Sequence, residues 1–153
     1  LRLTEVSAQI FTADISRVGD LDVLAAGHAA ALWAALLLLL ILTLSIQVVQ
    51  KRSKHKVLIG DEGIPEMVQA VRAFGNAVEY VPPALAGLGI LAVAGASPLV
   101  IHITGLALFV GRALHAVGLS RSGGASFPRT IGMILTWVAY LFLIVVLLFY
   151  ALP

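Results

Sequence analysis

The sequence predicts an all-α integral membrane protein, a four-transmembrane-helix bundle, and three observations carry that reading. Hydrophobic residues fill 60% of the 153 positions. The mean hydropathy of +1.03 lies beyond the range of water-soluble domains. Four apolar stretches each reach the ~20 residues that a helix rising ~1.5 Å per residue needs to cross a bilayer. The same composition excludes several function classes. A net charge of only +2 provides no basic field for DNA or RNA, so no nucleic-acid partner is expected. The absence of cysteine removes disulfides, thiolate metal sites and a protein-borne thiol nucleophile, so any sulfur chemistry must come from a ligand. His28 and His102 lack the neighbours that a metal site requires, and no metal is expected.

Residues 1–26 read as an arm preceding a membrane domain of residues 27–150. The arm opens at Leu1 without a basic segment leading into an apolar one, so no signal peptide is expected. Its Val6, Ile10, Phe11, Ile15 and Val18 suit either a short amphipathic interfacial helix or a flexible segment, and no function is assigned to it. The first span, Gly27–Gln50, contains the run LLLLLIL. The second, Pro65–Ala94, starts at a proline suited to a first turn, is longer than a bilayer requires, and begins with a polar part that projects from the membrane. Pro82 and Pro83 should bend it, because each removes a backbone donor and crowds the preceding turn. The third span is Pro98–Leu119 and the fourth is Thr130–Tyr150, which is nearly free of charge.

Lys51, Arg52, Lys54 and Lys56 crowd the first loop, and Arg121 and Arg129 flank the third. By the positive-inside rule both loops face the cytoplasm, and both termini of this multi-pass chain face the opposite side. Helical rise then places Glu79 about 22 Å below Ala94 and Arg112 about 21 Å from Pro98, so the two arrive at one level near the cytoplasmic edge of the hydrocarbon.

Those residues are the informative exceptions to an apolar pattern. Arg72, Asn76 and Glu79 stand four and three apart, on one face of the second helix, and Arg112 and His115 stand three apart on the third. An ionisable group in a spanning helix costs at least ~2.5–3.5 kcal/mol on insertion scales, so it faces protein or a water-filled pocket and marks a candidate site. The bland alternatives are specific. Glu79 and Arg112 could neutralise each other, Asn76 could tie two helices, Arg72 could snorkel to the interface, and His115 could be satisfied within a helix contact.

The pattern Arg-Ala-x-x-Asn-x-x-Glu-x-x-Pro, here Arg72, Ala73, Asn76, Glu79 and Pro82, resembles the second-helix signature of the MAPEG family, the membrane-associated proteins of eicosanoid and glutathione metabolism. The flanking RSKHKV and GRALHAVG are similar to the corresponding stretches of microsomal glutathione transferases and related synthases, and the resemblance covers about Gly27 to Tyr150. It implies a homotrimer that binds glutathione between subunits near the cytoplasmic side and uses it as co-substrate. Arg72, Asn76, Glu79, Arg112 and His115 would hold the tripeptide, with Arg52, or Lys51 or Lys54 in its place, reaching in from the adjacent subunit. Arg129 would stabilise the thiolate and Thr130 would donate to the same sulfur, although Arg129 is equally explained as a topology-setting charge. Two positions depart from the family pattern. Leu119 stands where a tyrosine is usual, and Gly75 stands where the prostaglandin synthase has an arginine.

The function expected is conjugation of the glutathione thiolate to a hydrophobic electrophile from the bilayer, or reduction of a lipid hydroperoxide. The alternatives are a non-catalytic protein that binds and presents lipid, which Leu119 and Gly75 favour, and a small proton-coupled exporter in which Glu79 carries the proton.

Overall fold

The computed structural model describes residues 2–152 of the chain, with side chains from residue 21 onward. Four helices make up the fold: α1 (Arg2–His55), α2 (Pro65–Val93), α3 (Pro98–Arg121) and α4 (Phe127–Ala151). Each of the last three carries a proline at its first or second position, where the missing N–H costs no hydrogen bond. All four are long and apolar enough to cross a membrane.

The observed spans extend the expected ones mainly at their polar ends. α1 runs past Gln50 to His55 because Lys51 and Lys54 both bind the carboxylate of Glu66, in the first turn of α2. Residues 21–26 are helical and continuous with the first span, so the division at residue 27 falls inside α1. The amphipathic face considered for the arm lies outside the residues whose side chains are described. α4 starts at Phe127, one turn before Thr130.

The exterior is as apolar as the interior. Leu38, Leu39 and Leu42 on α1 and Val138, Leu141, Val145 and Leu148 on α4 are each more than half exposed, as suits helices bathed in lipid. The larger buried cluster joins Trp33, Leu37, Val81, Leu88, Leu91, Ile101, Leu108 and Leu143. A smaller one, Leu44, Ala73, Ala77, Ala116 and Leu119, lies toward the end that carries the basic loops. Trp33, an aromatic of the kind that anchors helices at a membrane interface, is buried inside the chain instead. Its Nε1 donates to Nδ1 of His102 at 3.1 Å, and its ring occupies the space left by Gly105.

α2 remains one helix through Pro82 and Pro83. These prolines leave the carbonyls of Val78 and Glu79 without their usual helical donors. On the adjoining residue, the Tyr80 carbonyl accepts a hydrogen bond from the Tyr140 hydroxyl, which ties α4 to α2 at this loosened turn.

Glycines set the contact between α3 and α4. A methyl group built on Gly111 would lie 2.8 Å from Thr136 Oγ1, and one on Gly118 would lie 2.7 Å from Arg129 Cβ. On Gly132 it would meet the Gly111 carbonyl oxygen at 2.6 Å and His115 Cα at 2.9 Å. The two backbones therefore touch, and this close approach brings His115 against the start of α4.

Candidate functional site

A cavity of about 410 Å³ opens where α2, α3 and α4 meet near the basic end. Its polar lining consists of Arg72, Asn76 and Glu79 from α2, His115 from α3 and Arg129 from α4, with Val71, Gly75, Leu119 and Met133 completing the wall. Ala73 and Ala77 pack inward on α2, so helical spacing turns residues 72, 76 and 79 toward the opening. Arg72 and Glu79 are exposed, and neither enters an ion pair among the described residues.

Arg112 is only 2% exposed and lies behind this lining. Its Nη1 donates to Asn76 Oδ1 at 2.8 Å, and its guanidinium carbon sits 4.9 Å from the centre of the Tyr80 ring, a cation–π distance. The neutralising pair with Glu79 does not form. Arg112 projects into the α2–α3 contact that contains Ala73 and Ala77, on Asn76's side, whereas Glu79 is turned outward. Arg112 Nε and Nη2 are buried without a hydrogen-bond partner. Because a guanidinium only donates, it engages the oxygen of Asn76 and leaves the amide nitrogen as the group presented to the cavity.

His115 lies against the first turn of α4, with Nδ1 3.0 Å from the carbonyl oxygen of Arg129. The Arg129 side chain reaches back to the Gly124 carbonyl at 3.3 Å. His115, Arg129 and Met133 also border a second cavity of about 420 Å³, completed by Ala125, Thr130, Ile134 and Trp137. The lining of this second space is mainly apolar, so a polar and an apolar compartment share one wall.

Of the residues singled out from the sequence, five line the polar compartment, Arg112 supports it from behind, and Thr130 lies in the apolar one. Arg52 lies in a neighbouring groove between α1 and α2 that shares Val71 and Gly75 with the polar compartment, and its Nη1 donates to the Leu58 carbonyl at 2.9 Å. Lys51 and Lys54 are held by Glu66. Met133 and Trp137 were missed, although their four-residue spacing after Arg129 puts all three on one face of α4. Tyr80, beneath Arg112, carried no such signal.

The MAPEG family model matches residues 30–149. This chain belongs to the MAPEG family. It is 37% identical over 120 residues to the inner membrane protein YecN of Escherichia coli strain K12, a match covering 78% of this chain and 90% of that relative. YecN of Escherichia coli O6:H1 matches to the same extent. Membership of this family, together with four apolar helices and an inner-membrane relative, makes the protein a multi-pass integral membrane protein. The MAPEG match begins after residues 1–26, and it includes every residue of the two cavities.

Proposed function

We propose that the protein is a homotrimeric, glutathione-dependent membrane enzyme that presents the tripeptide's thiolate to a hydrophobic electrophile arriving from the bilayer. The observation that carries this reading is the pair of unlike cavities sharing His115, Arg129 and Met133. Glutathione has two carboxylates, an amino group, two amides and a thiol. Arg72 and Arg129 match the carboxylates or a developing sulfur anion, Glu79 matches the amino group, and the Asn76 amide nitrogen matches a carbonyl or carboxylate oxygen. A free thiol with a pKa near ~8.5 is mostly protonated at neutral pH, and a neighbouring guanidinium favours its ionised, nucleophilic form. Thr130, bordering the apolar compartment, would donate to the same sulfur. Arg52, which does not line the cavity of its own subunit, would serve the site of an adjacent subunit. Both termini lie on the non-cytoplasmic side in this arrangement.

Conjugation forms a sulfur–carbon bond with the electrophile. Reduction of a lipid hydroperoxide would use the same thiolate and oxidise two glutathione molecules to the disulfide. Calorimetric titration of the detergent-solubilised protein with glutathione, followed by thiolate absorbance of the complex, tests the reading. Saturable binding with a thiolate signal is the expected result, and the absence of binding removes it. Leu119 and Gly75 in the polar wall favour a second reading, a non-catalytic lipid presenter, for which glutathione would bind without a thiolate signal.

A further inference from the structure

His115 stands at the junction of the two cavities, and its tautomer follows from its neighbour. A carbonyl oxygen only accepts, so the contact with Arg129 requires the hydrogen on Nδ1, and in the neutral ring Nε2 is then a bare acceptor. Nε2 has no hydrogen-bond partner among the described residues. Unlike Nε and Nη2 of Arg112, it is not sealed inside the protein. Since the ring borders both cavities, Nε2 is the basic atom that α3 offers to them. At the end of the same helix Leu119 contributes an apolar side chain, not a hydroxyl, to the polar wall.

We infer that His115 is the general base that takes the proton from the thiol. The inference rests on the glutathione reading above and gives the residue a chemical role in place of a purely ligand-holding one. A neutral imidazole suits this task, because its bare ring nitrogen can accept a proton from a thiol while the other nitrogen keeps its hydrogen bond. The thiol hydrogen passes to Nε2 first, and the electron pair left on sulfur then forms the bond to the electrophilic carbon. With an aryl chloride as electrophile, the carbon–chlorine bond breaks and chloride leaves with the bonding pair. The imidazolium then returns its proton to water at the mouth of the polar cavity. The charged groups around the ring are Arg112 on its own helix, Arg129 on α4, and Arg72 and Glu79 on α2, with none from α1 lining the cavity. Nδ1–H remains bonded to the Arg129 carbonyl throughout, so the ring does not need to turn over.

The test uses the full chain in detergent with glutathione and chlorodinitrobenzene as probes. His115→Asn keeps an N–H donor near the position of Nδ1 and removes Nε2. It should lower kcat/KM by about 10²-fold, the usual contribution of a positioned base, while glutathione affinity changes little. Imidazole added to His115→Ala should restore part of the rate. In the unaltered protein the thiolate should form on glutathione binding without proton release to the buffer, read by calorimetry in two buffers of different ionisation enthalpy, because the proton stays on Nε2. A rate indifferent to both substitutions, or release of a full proton to the buffer as the unaltered protein forms the thiolate, overturns the inference even if a variant fails to fold. Glutathione binding that survives such a result leaves the ligand reading standing, whereas an unaltered protein that does not bind glutathione removes both.

Discussion

Arg112 Nη1 donates to Asn76 Oδ1 across 2.8 Å between α3 and α2, and this bond determines which end of the amide the polar cavity meets. Replacing Arg112 by methionine fills a similar space with no charge and removes two buried nitrogens that have no partner. Folding stability should hold or rise, since exchanging a poorly satisfied buried charge for an apolar group is often neutral or favourable. Glutathione affinity should nevertheless fall about tenfold, or ~1.4 kcal/mol, because the Asn76 amide is then free to rotate. Thermal unfolding and calorimetry on the same sample separate the two effects.

Arg129 is expected to act on the reacting sulfur more than on the tripeptide as a whole. Arg129→Ala should reduce kcat about tenfold while the dissociation constant for glutathione changes much less. Steady-state kinetics beside direct binding measurements give the comparison. Equal losses in both would assign Arg129 to holding the ligand.

The α3–α4 contact tolerates no side chain at Gly132, where the nearest obstacles are backbone atoms of Gly111 and His115 that cannot swing aside. Gly132→Val should therefore force the helices apart and destabilise the protein by roughly 1–3 kcal/mol. Gly75→Ala serves as the control. A methyl group there meets nothing within 4 Å, and its effect should stay within about 0.5 kcal/mol. Reversible unfolding in mixed micelles measures both.

Tyr140→Phe removes the hydroxyl that satisfies the Tyr80 carbonyl beside the two prolines of α2. The loss should be about 0.5–1.5 kcal/mol, the net worth of one hydrogen bond. Faster amide exchange around residues 78–84, with the ends of α2 unaffected, would localise it.

Hydropathy alone located the spans because a bilayer demands some twenty apolar residues in succession, and only their ends moved. The polar end of α1 lengthened because Lys51 and Lys54 found Glu66 across the loop, a pairing that no single-helix pattern contains. The α2 face was legible for the same reason, since polar groups at positions 72, 76 and 79 stand out against an apolar background. Which neighbour each would meet depended on the rotation of α3 about its own axis. That rotation is set by glycine contacts with α4, and so Arg112 turned out to serve Asn76 and not Glu79. The burial of Trp33 was illegible on similar grounds. Its burial requires the notch at Gly105, 72 residues further along the chain.

Glycine notches that admit a neighbouring backbone also fix its height. Sliding α4 along α3 by one turn, about 5.4 Å, would withdraw Gly111, Gly118 and Gly132 from the atoms they now admit and forfeit those contacts. Helices three and four should consequently move as one stiff hairpin, holding His115 level with the Arg129 carbonyl. The apolar compartment, lined entirely from this hairpin, keeps its shape, and a swing of the other two helices widens the polar one instead, in the manner of a door hung beside a fixed post.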